Sequence, residues 1–215
     1  MESVMSNSTR LIALIVALLA ISPAKADAIP YSNTGTENIN LHTFIASATG
    51  TISAYFYDES AGYTNTLTLL VNGVMTPESA AGVLNNHASS KGDFVNLGHV
   101  HAGDVLTFQL NVLTTGETLY SDKSLNSDGI NHVYSTSFSG DTIHGIPAGT
   151  YIGFEDLRNG GDLDYNDETF VFTNISSVPE SETYAMLLTG LGLMSFISLR
   201  RRKILSKSLP KESFI

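Results

Sequence analysis

Six carboxylates fall within GFEDLRNGGDLDYNDETFVF, the stretch from Gly153 to Phe172: Glu155, Asp156, Asp162, Asp164, Asp167 and Glu168. Only Arg158 answers them with a positive charge. Like charges this close repel, so a fold that gathers them needs a compensating partner. Asp162, Asp164 and Asn166 alternate, and in an extended segment alternate side chains project to one side. Gly160 and Gly161 allow a turn tight enough to fold the loop back over Glu155 and Asp156. The product is a cage of hard oxygen donors. Such a cage suits calcium, which takes about 6–8 oxygens at about 2.3–2.6 Å, better than magnesium, which keeps its waters. The predicted ligands are Asp162, Asp164, Asn166 and Asp167, with Glu155 and Asp156 approaching from the end of the preceding strand. Arg158 is expected to support the ligands from behind. Tyr165 is expected to pack on the sheet or to face a ligand. The competing reading is a solvated hairpin loop in which Asp and Asn only make turns.

Asp162, Asp164 and Asn166 match the first three ligand positions of an EF-hand loop. The match then fails, because Asp167 stands where glycine is needed and Thr173 where glutamate is needed, and no helices flank the loop. His99 and His101 form an H-x-H pair that would suit zinc or copper, but no third ligand is evident nearby. Tyr57 to Asn65 sets Asp58, Glu59 and Asn65 among Phe56, Tyr57 and Tyr63, the residue types of a sugar site and equally of a strand end. The sequence contains no G-x-S-x-G, H-E-x-x-H or phosphate-loop pattern. Paired carboxylates could serve glycoside hydrolysis, yet these acids cluster with one another rather than across a cleft.

The elements that must hold the loop read as strands. Thr51 to Tyr57 alternates, with Ile52, Ala54 and Phe56 on one face. In DVLTFQLNVL, Leu106, Phe108, Leu110 and Val112 face one way and Thr107, Gln109 and Asn111 the other. NTLTLLV, HVYSTSF, TYIGF and ETFVF are further predicted strands. HAGD, TTGE, NSDG, PAGT and RNGGD between them carry turn chemistry. The stretch 77–93 is expected to be one helical turn or a long loop. Many short strands with glycine-rich turns predict an all-β fold, a single jelly-roll-like β-sandwich.

The charge is unevenly spread. The whole chain of 215 residues carries −10, but residues 27–177 hold 17 Asp and Glu against three Lys and Arg, a net of −14. Nucleic acid is not an expected partner, since phosphate binding needs a basic patch. Divalent cations are the natural counter-charge. There is no cysteine. Disulfide staples and thiolate chemistry are therefore excluded, and a bound metal could take the place of a cross-link.

The two ends read differently from the middle. Arg10 precedes the apolar run Leu11 to Ile21, followed by SPAKADA, the layout of a secretory signal peptide over residues 1–26 with cleavage after Ala26. At the other end, an apolar stretch from Tyr184 to Leu199 precedes Arg200, Arg201, Arg202 and Lys203. As a helix it would reach about 24 Å, short of the roughly 30 Å hydrocarbon core. The cations would stay cytoplasmic. Val178-Pro179-Glu180, the segment ETYAMLLTGLGLM and the basic cluster together resemble a PEP-CTERM sorting signal, over residues 178–203, with a polar tail at 204–215. Ser181 stands where that motif has its second proline. The resemblance implies an exosortase substrate of a Gram-negative bacterium. It would be held transiently in the inner membrane through residues 184–199, cut near the Pro-Glu step by an exosortase-type enzyme, and released to the surface or outside, often alongside exopolysaccharide.

The acidic stretch itself is similar to the signature of a secreted bacterial module, the domain-of-unknown-function 4114 family. The matching positions are Gly153 to Asp156, Gly160 to Asp162 and Asp164 to Asp167, followed by an apolar strand. The resemblance implies a surface-protein module with calcium as the suspected ligand and no catalytic residues. The expectation is thus a secreted, non-enzymatic matrix protein stabilised by calcium, with residues 27–177 as its folded domain. A calcium-dependent carbohydrate-binding module, with Tyr165 as its aromatic contact, is the first alternative. A polysaccharide hydrolase or lyase is the second.

Overall fold

The computed structural model describes residues 34–179, with residue 189 and residues 191–194 helical beyond them. The signal peptide expected at 1–26 and the tail at 204–215 lie outside the described residues, as does most of the sorting segment expected at 178–203. Among the described residues no helix is long and apolar enough to cross a membrane.

The strands are β1 (His42–Ala46), β2 (Gly50–Glu59), β3 (Asn65–Val71), β4 (Val74–Met75), β5 (Phe94–Val100), β6 (Val105–Val112), β7 (Glu117–Tyr120), β8 (Val133–Phe138), β9 (Gly149–Phe154), β10 (Glu168–Thr173) and β11 (Ile175–Pro179). Two single 3-10 turns, Lys123–Leu125 and Arg158–Gly160, interrupt the connections. The strands form two antiparallel sheets, one ordered β11-β1-β6-β3-β4 and the other β5-β2-β10-β9-β8. In the first sheet β1 pairs with the start of β6 and β7 with its end, so the two share one edge of that strand.

The alternation expected in β2 and β6 is what builds the core. Ile52, Ala54, Phe56, Leu106, Phe108, Leu110 and Val112 are all buried in one cluster between the sheets. Phe108 of one sheet and Phe172 of the other meet with ring centroids 4.0 Å apart. The opposite positions of β6 are not solvated as simple alternation suggests: Thr107 and Gln109 are buried as well. The stretch 77–93 is a long loop that follows the otherwise open edge of β3. Leu67 and Val83 exchange backbone hydrogen bonds of 2.8 and 2.9 Å there. A covered edge cannot recruit another strand. The short β1, β4, β7 and β11 and the longer β5 add to the predicted strands. β11 runs on to Pro179, past residue 177.

Candidate metal centre

The acidic loop joins β9 to β10, adjacent strands of the second sheet. Gly153 on β9 is there for a close approach: a Cβ at that position would collide with the Tyr165 carbonyl oxygen. The loop therefore folds back onto the strand it has just left. It does so by coiling rather than by extending. Asn159, Leu163 and Tyr165 take φ of 64°, 55° and 57°, and Gly160 and Gly161 take 81° and 48°. Left-handed backbone costs a bulky residue about 1–2 kcal/mol, so the surrounding structure must enforce it. The loop's chemistry thus does not arise from the extended alternation inferred from the sequence.

Tyr165 anchors the coil. It is fully buried, its hydroxyl accepts from Asn38 N at 2.7 Å and donates to Asn131 O at 3.1 Å. It is therefore unavailable to a sugar, which corrects the expectation that it could face a ligand. Arg158 also departs from expectation. It pairs with Glu117 (3.3 Å) and donates to Ser127 Oγ (2.8 Å), away from the carboxylates it was expected to support.

Of the six predicted ligands, Glu155, Asp162 and Asp164 offer oxygens that all lie within 4.8 Å of one another. This acidic triad can hold a metal ion. Asn166 is placed on Asp164, to which both its backbone and side-chain amides donate. Asp167 lies between its neighbours: its Oδ2 accepts from Asp156 N at 2.8 Å, and its carboxyl also faces that of Glu155. Asp156 turns inward, where its Oδ2 accepts from Asn65 Nδ2 at 2.8 Å.

Glu155 is the centre of the arrangement. It is fully buried, and neither of its side-chain oxygens has a hydrogen-bond partner. Its backbone is pinned on both sides by His132, through Glu155 N to His132 O at 3.0 Å and His132 Nδ1 to Glu155 O at 3.0 Å. His132 is itself set 3.0 Å from Asp128 Oδ2. Burial, then the carboxylates of Asp167, Asp162 and Asp164, push the Glu155 carboxyl up to about 9. Burial likewise raises Asp167 to about 6. Burial raises Asp164 too, although the Asn166 donors pull the other way. A group that resists ionisation this strongly will take a proton or a cation when one is offered.

The fold brings here four residues outside the predicted ligand set. Glu168, at the start of β10, is fully buried with both oxygens unpartnered. Asn65 comes from the other sheet, and Asp128 and His132 from the connection before β8. Glu168 is one of the six carboxylates of the acidic stretch, and its spacing alone does not mark it as buried; the other three cannot be linked to the loop without the fold. His99 and His101 stand with ring centroids 6.1 Å apart, both exposed.

Two antiparallel sheets with an acidic loop at one end, anchored by the buried Glu155, Tyr165 and Glu168, define a β-domain with a candidate cation site. The chain belongs to the family described as Domain of unknown function (DUF4114), which matches residues 61–174, more than half of its length. The match takes in the whole acidic loop and Asn65. No curated protein and no solved structure matches the chain.

Proposed function

We propose that the protein is a secreted or cell-surface, non-enzymatic structural component, associated with exopolysaccharide, whose acidic loop is closed by calcium. The observation that carries the calcium reading is the Glu155 side chain, buried without a partner and facing Asp162 and Asp164. A buried carboxylate in that position is costly unless a cation meets it. The donors are all oxygen, which favours calcium over transition metals. The chain crosses repeatedly between the two sheets, from β1 to β2 to β3 and from β4 to β5 to β6, which supports a jelly-roll-like arrangement. Export and sorting rest on the terminal segments of the sequence: the apolar run after Arg10, and the apolar stretch before Arg200 to Lys203. Titration calorimetry with calcium chloride tests the ion. Loss of a binding event in Asp162→Asn supports the reading, and a flat titration of wild type rejects it. Intact mass of the secreted form tests sorting, since a tail ending at Ile215 would exclude cleavage near Pro179.

A carbohydrate-binding module is the second reading, and one observation favours it. On the outer face of the second sheet, Tyr55 and Phe94 stack with centroids 5.5 Å apart, and Phe94 is 62 % exposed. Lys91 Nζ lies 3.7 Å over the ring of Tyr57 on the same face. Exposed rings of this kind can stack on sugars. Glycan arrays with wild type and Phe94→Ala, each with calcium and with EGTA, decide it.

A further inference from the structure

Three inward-facing stripes of side chains run toward the loop, and each ends in an oxygen donor. On β10 the stripe is Phe172, Phe170, Glu168; on β3 it is Leu69, Leu67, Asn65. On β9 it is Ile152 and Phe154, and the next residue in step is Asp156. The period of a strand calls for apolar residues at such positions. Instead Asn65, Asp156 and Glu168 stand there, exposed by 0 %, 3 % and 0 %. The Asn65 to Asp156 hydrogen bond ties the two sheets together at this end. Asn65 Oδ1 and both oxygens of Glu168 have no partner. The charges facing Glu168 are Asp156 and Glu59, both acidic. Among the described residues, no Lys, Arg or His ion pair includes Asp156 or Glu168.

An ion at Glu155, Asp162 and Asp164 does not discharge this pocket. Those three are the carboxylates that share the 4.8 Å neighbourhood, and Asp156 and Glu168 are not among them. Fully ionised, the six carboxylates of the loop carry −6. One divalent ion leaves −4, of which −2 sits on the buried Asp156 and Glu168, whereas Asp162 is exposed and Asp164 and Asp167 are half-buried and within reach of water.

We propose that a second calcium ion binds between the sheets, held by Asp156, Glu168 and Asn65 Oδ1, with Asp167 lying between it and the first ion. The proposal rests on the calcium reading of the loop and adds a site to it. The second ion ties β3 of one sheet to β10 and the end of β9 in the other.

Native mass spectrometry of the full chain titrated with calcium chloride counts the ions. The expected result is two for wild type, one for Glu168→Gln and one for Asp162→Asn. If wild type takes a single ion that Asp162→Asn removes and Glu168→Gln keeps, the second site is overturned while the loop site stands. If wild type takes none, both fail. Should Glu168→Gln not fold, terbium and europium bound together to wild type replace it. Energy transfer between the two lanthanides supports two adjacent sites, and its absence at saturation overturns them.

Discussion

Asp128, half-buried with its side chain 4 % exposed, and the fully buried Glu155 are both touched by His132, yet their surroundings are opposite. Asp128 accepts from Ile130 N at 3.0 Å and Asn159 N at 2.8 Å, and lies 3.0 Å from His132 Nε2. Burial pushes its carboxyl up, but these donors win and hold it down at about 2. Glu155 has no donor at all, and its carboxyl rises to about 9. The half-buried Asp104 and Asp141 follow Asp128: backbone and side-chain donors reach each of them, and each is lowered. The chain thus uses acids in two ways. Where backbone amides converge, the carboxylate completes a turn. Where only other carboxylates converge, no donor offsets the charge. Acidity alone does not distinguish the two, but the supply of donors does.

Removing the paired acid should have the largest effect. Asp128→Ala leaves two amides and the His132 ring without their acceptor, for a loss of about 3 kcal/mol. The loss should be seen by thermal melting in calcium and in EGTA alike. Calcium itself comes next. At ~100 times its dissociation constant one ion adds roughly 2.7 kcal/mol, or roughly 5–10 °C for a domain of this size. Identical melting curves in calcium and EGTA would erase the contrast between the two regions. Asp164→Ala sharpens it further. It should abolish most of the calcium shift while moving the melting point in EGTA by only about 1–2 °C, in either direction.

Per pH unit the effect is smaller, a slope of at most about 1.4 kcal/mol for each group, and its sign differs between the regions. Glu155 and Asp167 have folded pKa values above their unfolded ones. The folded state then binds more protons, so without calcium stability falls as pH rises from about 4.5 towards about 9. Asp128 has a folded value below its unfolded one. Its contribution is present above about 4 and is lost as pH falls towards about 2. Melting in EGTA should therefore be highest near pH 4–5. Saturating calcium should flatten the alkaline limb, because the ion replaces the protons.

Much of this was legible in the sequence. Alternation located β2 and β6, because each has one face in the core, and the acidic stretch announced itself by charge density. β1 and β7 were missed because five and four residues are too few to show a period. Three failures at the site have a common cause. Asn65 lies in sequence 91 residues from the Asp156 it donates to. For Tyr165, spacing leaves open packing on the sheet or facing a ligand, and only its φ of 57° shows that it turns into the interior. Arg158 was assigned by charge to the nearest acids, whereas its partner Glu117 comes from β7. Local spacing speaks for residues in regular strands, and this loop is not one.

The pairing of β1 with β11 has a mechanical consequence. His42 stands opposite Pro179, so the domain's chain enters and leaves side by side. Tension applied between those points would peel the two strands apart one rung at a time, the weak direction for a sheet, rather than shear all the rungs at once. Ahead of β1, however, the chain is buttoned to the acidic loop. Gly35 N donates to the Asp162 carbonyl at 2.8 Å and Asn38 N to the Tyr165 hydroxyl, while Lys123, from the turn after β7, donates to Glu37 at 2.6 Å. Tension drawn through residue 34 meets that button before it reaches the zipper. An ion that stiffens the loop would set the force at which the domain begins to open.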